Sequence, residues 1–335
     1  MTQFSTALTL FLSLLVEAIP FLLLGVIFSS VLLLFVDERK LIAAIPKHPL
    51  LGALAGSLVG FLFPVCECGN VPVARRLITQ GAPASVAIGF LLAAPTINPI
   101  VIWATWLAFR DQPEIVVLRF VFSLAIATVI GWVFSAQTDM RPLLQPAVTR
   151  LMPNLKAVDK TVPALLQSGT FLMQGGGQKL QLDAPSTMAL IDDDVRSKPW
   201  PIKLRLMLDN IVQEFRELGA VLVIGSAIAA LVQVAVPREI VLSLGQGPIT
   251  SILAMMTLAW VVSICSTVDG FFVLSFASTF TGGALLAFLV FGPMIDLKNI
   301  SLLLTVFRTR AIIYLFLLAA QLTFLLTLLV NFYLG

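Results

Sequence analysis

The run LITQGAPASVAIGFLLAAPTINPIVIWATWLAF, residues 77–109, carries no charged side chain over its 33 positions. A straight helix of that length would extend about 50 Å, well beyond the ~30 Å hydrocarbon core of a bilayer, so the segment has to break. Ala94-Pro95-Thr96-Ile97-Asn98-Pro99 is the natural place. Pro95 and Pro99 withhold backbone donors, and the carbonyls they leave free can line a cavity. Phe291-Gly292-Pro293-Met294-Ile295-Asp296 repeats the pattern, Pro293 lying 198 residues beyond Pro95. Paired interruptions in corresponding places of two apolar halves point to a binding site near the middle of a membrane.

Outward from that run, charge-free stretches recur at 18–36, 49–66, 120–138, 218–237, 240–268, 270–295 and 311–335. Each is near or above the ~20 residues that cross a bilayer. With 59% hydrophobic and 12% charged residues and a mean hydropathy of +1.00, the chain departs far from a soluble domain. The expectation is an all-α polytopic membrane protein of about eight hydrophobic segments. The opening MTQFSTALTL lacks a basic n-region and a small-residue cleavage site, so its apolar segment reads as a retained helix. The single histidine, His48, excludes HExxH and multi-histidine sites. Three cysteines without paired spacing argue against a disulfide framework. A net charge of +3, scattered over loops, gives no footprint for nucleic acid.

Residues 139–217 hold 19 of the 39 charged side chains, and the hydrophobic pattern stops there. The reading is an N-terminal membrane repeat over 1–138, a polar cytoplasmic linker over 139–205 and a C-terminal membrane repeat over 206–335. Gly175-Gly176-Gly177-Gln178-Lys179 lacks the first glycine and the Lys-Ser/Thr ending of a phosphate loop and reads as flexible chain. Leu204, Leu208, Ile211, Val212, Phe215 and Leu218 recur at helical spacing and read as an interfacial helix leading into the membrane. Glu17, Gly25, Cys66, Pro95 and Asn98 find counterparts in Glu217, Gly225, Cys265, Pro293 and Asp296, at offsets held between 198 and 200. That register marks an internal duplication.

Charge distribution bears on the direction of the two copies. If 49–80 and 247–281 each enter and return as hairpins, every half crosses three times. Arg39, Lys40, Lys47, Arg75, Arg76, Arg308, Arg310 and the linker then share one face, leaving Arg110, Arg119 and Arg238 opposite. That is a positive-inside pattern with the linker in the cytoplasm and both termini outside a plasma membrane. An odd number of crossings makes the repeats inverted.

Pro64-Val65-Cys66-Glu67-Cys68-Gly69-Asn70-Val71-Pro72 packs two thiols, a carboxylate, a glycine and two prolines into nine residues. On a regular helix Cys66 and Cys68 would diverge by about 200°, whereas an extended tip, broken at Gly69, can turn both sulfurs to one ligand. Thiolates favour Cu(I), Zn(II) or trivalent arsenic; the plainer reading of any one cysteine is a small apolar filler. An acid such as Glu67 at membrane depth costs ~2.5–3.5 kcal/mol and so should face a cavity, a cation or a partner. Asp269, Asp296 and Lys298 raise the same question, with Asp296 and Lys298 as a neutralising pair. Asn98 either lines the site or caps a half-helix. Glu17 and Glu217 read as ordinary first-turn acids, and Arg75-Arg76 as a topology anchor.

These residues resemble a family of predicted permeases that includes the ArsP-type organoarsenical efflux proteins. The resemblance rests on the Pro64–Ala74 motif, Gly81-Ala82-Pro83, Ala93–Pro99, Ile264-Cys265-Ser266 and Phe291–Asn299; it covers both apolar halves but not the linker. It implies a permease. Many relatives have a small residue, often Ser, where this chain has Glu67, a departure that suits a divalent cation at least as well as an arsenical. The expected function is therefore a secondary transporter of a small solute, with a soft metal or metalloid as cargo and no catalytic residues. Its binding residues are Cys66, Glu67, Cys68, Asn98, Cys265, Asp269, Asp296 and Lys298. Cys66, Cys68 and Cys265 are the metal ligands, and Gly69, Pro95, Pro99 and Pro293 the helix breaks. No cofactor is required. The partners are the lipid bilayer, the solute and a second membrane or soluble subunit. Two alternatives stay open: an intramembrane thiol oxidoreductase using Cys66 and Cys68, and a non-transporting subunit that anchors a partner.

Overall fold

The computed structural model describes residues 2–35, 46, 48–63, 66–137, 140–152, 171–173, 179–181, 200–235 and 247–333. Arg39, Lys40, Lys47 and Arg238, and in the linker Gly175-Gly176-Gly177 and the acidic run Asp192-Asp193-Asp194, lie outside them. The first half contributes α1 (Thr2–Phe35), α2 (Pro49–Leu62), α3 (Glu67–Thr79), α4 (Ala84–Ile97), α5 (Pro99–Ala108) and α6 (Pro113–Ser135). A 3-10 turn, Arg141–Leu143, and the short α7 (Pro146–Leu151) follow, then two strands, β1 (Phe171–Met173) and β2 (Lys179–Gln181), paired antiparallel. The second half contributes α8 (Trp200–Ala235), α9 (Pro248–Val262), α10 (Asp269–Leu274), α11 (Gly282–Met294), α12 (Leu297–Leu303) and α13 (Thr309–Tyr333). The helices of one half thus have a counterpart, in order, in the other.

Among the described residues, six spans are long and apolar enough to cross a membrane: Ser5–Val31, Ala84–Ala108, Pro113–Ser135, Met207–Val234, Gly282–Leu303 and Thr309–Tyr333. The chain is a multi-pass membrane protein with three candidate spans in each half. Pro49–Leu62 and Pro248–Val262 are shorter apolar helices. At about 1.5 Å per residue these reach only 21–23 Å, short of the hydrocarbon core. The second and fifth spans are broken: α4 meets α5 at Asn98, and α11 meets α12 at Ile295-Asp296. They also contain the most enclosed stretches, 83% of an 18-residue window in each being buried against 28% in the first and last spans; Asn98, Ile295 and Asp296 at the breaks are themselves buried, inside the protein rather than against lipid.

In the first half α2, α4 and α6 pack on one another, and α9, α11 and α13 do the same in the second; the trios meet through α4, α6, α11 and α13. Close approach is built in with small residues. A Cβ on Gly56 would fall 2.3 Å from the Val86 carbonyl oxygen, and one on Gly89 2.6 Å from that of Ala53, as expected where membrane helices pack by van der Waals contact. The long α1 and α8 lie against each other and cover α3 and α12. They run antiparallel: Ser29 donates to Glu214 and Asn210 to Ser30 at one end, while Leu14 clusters with Ala229 and Ala230 at the other.

Three local expectations change. Residues 204–218 are not a separate interfacial helix but the first half of the continuous α8, in which Ile211, Phe215 and Leu218 pack inward while Leu204, Leu208 and Val212 stay exposed. Arg119 is not in a loop; it lies in α6 and is 1% exposed. The start of the polar segment is docked: Arg308 donates its amide to Leu143 and Gln145 its amide to Val306, with Leu144 bridged to Phe307.

Candidate functional site

Phe63 brings the first tip into the protein, its ring edge-on to Phe28 of α1 at 5.5 Å and to Phe90 of α4 at 5.4 Å. The chain then turns into α3, with Cys66 as the extended N-cap (φ −83°, ψ −178°) and Cys68 in the first turn. Because Cys66 is not helical, the two thiols do not diverge. The sulfurs of Cys66 and Cys68 and a carboxylate oxygen of Glu67 lie within 4.8 Å of one another, all three residues buried. Cys265, from the tip after α9, comes within hydrogen-bonding reach of Cys66. Glu17 of α1 lies within interaction range of Cys265, and Thr267 donates to its sulfur at 3.6 Å. All three cysteines are free thiols.

The tips are held by backbone groups that proline releases. Pro95 sits in the last turn of α4 and has no amide for the carbonyl of Leu91, four residues back. Asn70 of α3 takes that carbonyl with its side-chain amide at 2.6 Å. Pro95 is therefore not the break itself, nor is Pro293, which lies inside α11. The break comes three residues later. Asn98 turns extended (ψ 153°), caps α5 by accepting from the Val101 amide at 2.9 Å, and places Pro99 in the first turn, where a missing donor costs nothing. Asp296 does the same for α12, its side chain accepting from the Asn299 amide. Gly69 is not a break either: it lies inside α3, and a Cβ on Gly25 would fall 2.1 Å from its carbonyl oxygen. Its role is to let α1 and α3 cross closely.

Two buried ion pairs join the halves, and each ties a tip acid to a cation from the other half. Asp269, in the first turn of α10, receives both terminal nitrogens of Arg119 from α6 at 2.9 and 2.6 Å. Arg119 also donates to Thr105 of α5 at 2.7 Å. Planar bidentate pairing of this kind is rigid, and it commits Asp269 to Arg119. The other pair is looser. Lys298 Nζ, in the first turn of α12, lies 3.1 Å from Glu67 Oε1, yet off the line a hydrogen bond requires, so neither Glu67 oxygen accepts one from the described residues. Lys298 therefore pairs across the halves with Glu67, not with Asp296 as a closed local pair. Its ammonium also donates to the Ser263 carbonyl at 3.4 Å. Ser263 (φ 48°) is the left-handed residue that ends α9 and turns the chain into the second tip.

The result is a buried cluster of three thiols, Glu67 and the Lys298 ammonium, with Asp296 in electrostatic range. Asp296 Oδ2, Asn70 Oδ1, Asn299 Oδ1 and Ser266 Oγ are buried oxygens with no hydrogen-bond donor among the described residues. The two sulfurs and the Glu67 oxygen, within 4.8 Å of one another, form a donor set that fits a soft cation. Sequence reading anticipated the cysteines, Glu67, Asp296 and Lys298 here but missed Arg119. An arginine at the head of the charge-free run 120–138 was the available signal.

The family model ArsP_1, described as a predicted permease, matches residues 3–332. A Bacillus subtilis (strain 168) protein named "UPF0718 protein YcgR" is 37% identical over 302 residues, 90% of this chain and 89% of that protein. A Streptococcus mutans (serotype c) protein named "Putative two-component membrane permease complex subunit" is 32% identical over 306 residues, 91% of this chain and 88% of its own. No solved structure matches.

Proposed function

The chain belongs to the predicted permease family, and from that premise we propose that it is a secondary transporter that moves a soft metal or metalloid cation across the plasma membrane. The observation that carries this reading is the convergence of Cys66 and Cys68 from one half with Cys265 from the other, beside Glu67. A site built from both halves changes whenever the halves move, which is what alternating access requires. In this reading the three thiols and Glu67 hold the cargo.

The repeats are inverted in the same proposal. Its support lies in the α1–α8 crossing. Shifting the Ser29–Glu214 contact by the 200-residue repeat, 29 to 229 and 214 to 14, yields the Leu14–Ala229 contact. An antiparallel pair whose contacts map onto each other is the behaviour of a twofold axis in the membrane plane. The linker then lies in the cytoplasm.

Proteoliposome flux of Cd²⁺ and Zn²⁺, with metal tolerance of cells expressing the protein, tests the site. Cys66→Ser, Cys68→Ser and Cys265→Ser should each lower flux at least about tenfold, given the preference of such ions for thiolate over hydroxyl, without changing expression or melting temperature. Wild-type flux in all three would overturn the thiol site. A second subunit, suggested by the name of the streptococcal relative, would be recognised by flux that appears only when another membrane protein is co-reconstituted.

A further inference from the structure

The cation-binding pocket already contains a cation of its own. Lys298 is 1% exposed, and its ammonium stands within 3.1 Å of the one carboxylate grouped with the cysteine sulfurs. Two features set this pair apart from the Arg119–Asp269 clamp. Glu67 accepts no hydrogen bond from it, so the contact is electrostatic and unsaturated. A second carboxylate is also within electrostatic range of Lys298: Asp296, whose Oδ1 caps α12 and whose Oδ2 has no donor among the described residues.

Building on the soft-cation reading above, we propose that Lys298 is a tethered counter-cation that occupies the cargo's place on Glu67 and moves to Asp296 when the cargo binds. The exchange keeps the ammonium paired with a carboxylate whether or not the cargo is bound. The cargo replaces the ammonium at Glu67, and the ammonium moves to Asp296, whose Oδ2 has no donor among the described residues, so the lysine is not left as an unpaired cation at depth. It also couples binding to movement. Glu67–Lys298 spans the two halves, whereas Asp296 and Lys298 both belong to the second. A cation that competes for Glu67 therefore favours the arrangement in which this contact is released, and only such differential affinity can shift a conformational equilibrium. The bidentate Arg119–Asp269 pair offers no such exchange and stays as the fixed link between the halves. Selectivity follows: a hard monovalent ion gains nothing from the thiols to offset displacing the ammonium, and a soft divalent ion does.

The test is Cd²⁺ binding and flux with the purified full-length chain in nanodiscs and proteoliposomes. Lys298→Gln should bind Cd²⁺ about tenfold tighter, because the competitor is gone, and should transport it at least about tenfold slower, because nothing displaces the bound ion. Asp296→Asn keeps the cap on α12 but removes the alternative acceptor. It should weaken binding about tenfold in the wild-type background and have no effect in the Lys298→Gln background. Wild-type affinity in Lys298→Gln, or an equal loss from Asp296→Asn in both backgrounds, would overturn the exchange. If Lys298→Gln fails to assemble, Asp296→Asn alone decides, and wild-type affinity there overturns it too. Failure of the soft-cation reading looks different: Cd²⁺ binding that is absent from the wild type, or indifferent to Cys66→Ser and Cys68→Ser.

Discussion

Arg119 shows what one residue contributes when water is absent. Its guanidinium and the Asp269 carboxylate are 1% and 2% exposed as side chains and pair bidentately. Removing only the arginine leaves a buried anion without compensation. Arg119→Met is therefore expected to cost about 3–5 kcal/mol, whereas the apolar double variant Arg119→Met/Asp269→Leu should recover much of that loss. Thermal unfolding of the detergent-solubilised protein measures both, and a single variant as stable as wild type would refute the account. The cysteines, Glu67 and Lys298 were legible in the sequence because thiols and charges stand out in apolar runs. Their pairing was not. Glu67 and Lys298 are neighbours only after the two tips fold inward, and nothing in the spacing distinguishes Asp296 from Glu67 as the lysine's partner.

At the scale of helices, the breaks act through the groups they leave open. The sequence marked the right hexapeptides and placed interruptions at Pro95, Pro99 and Pro293; they fall at Asn98, immediately before Pro99, and near Asp296, where a side chain caps the next half-helix. Proline in a final turn does not end a helix, because its missing bond can be replaced from outside, and at Leu91 the replacement is Asn70. That relation is testable as a pair. Asn70→Ala should cost about 1–3 kcal/mol by orphaning the Leu91 carbonyl. Pro95→Ala supplies a backbone amide for the same oxygen, so Asn70→Ala should cost little in that background. Equal losses in both backgrounds, read by thermal unfolding, would separate the two residues. Gly69 was misread for a related reason: α3 needs a flat surface for α1, and a one-dimensional pattern does not distinguish a hinge from a crossing point.

For the whole molecule, six candidate spans and two short apolar helices fall three and one to each half, a division that the charge pattern favoured where run lengths gave only about eight apolar segments. The charge argument for orientation loses Arg119, which belongs to the interior, and keeps Arg110 beyond the end of α5. Single-cysteine labelling in a background without the native thiols checks the result. A cysteine at Gln112, between α5 and α6, should react with a membrane-impermeant maleimide on intact cells, and one at Ala147 of α7 only after permeabilisation. The reverse pattern would turn the protein over while leaving the repeat relation intact. The docking of residues 140–152 was invisible in sequence because its bonds are mostly backbone to backbone, as from Arg308 to Leu143 and from Gln145 to Val306.

The two cross-half ion pairs also set a timetable for synthesis. Glu67 leaves the ribosome 231 residues before Lys298 (298 − 67), and Arg119 leaves 150 residues before Asp269. At about 5–20 residues per second, the acid of the first tip waits roughly 10–50 s for its partner. During that interval burial is unaffordable, so the nascent first half keeps its tip at the water boundary or in the care of the insertion machinery. The pocket closes only when the last third of the chain has been made.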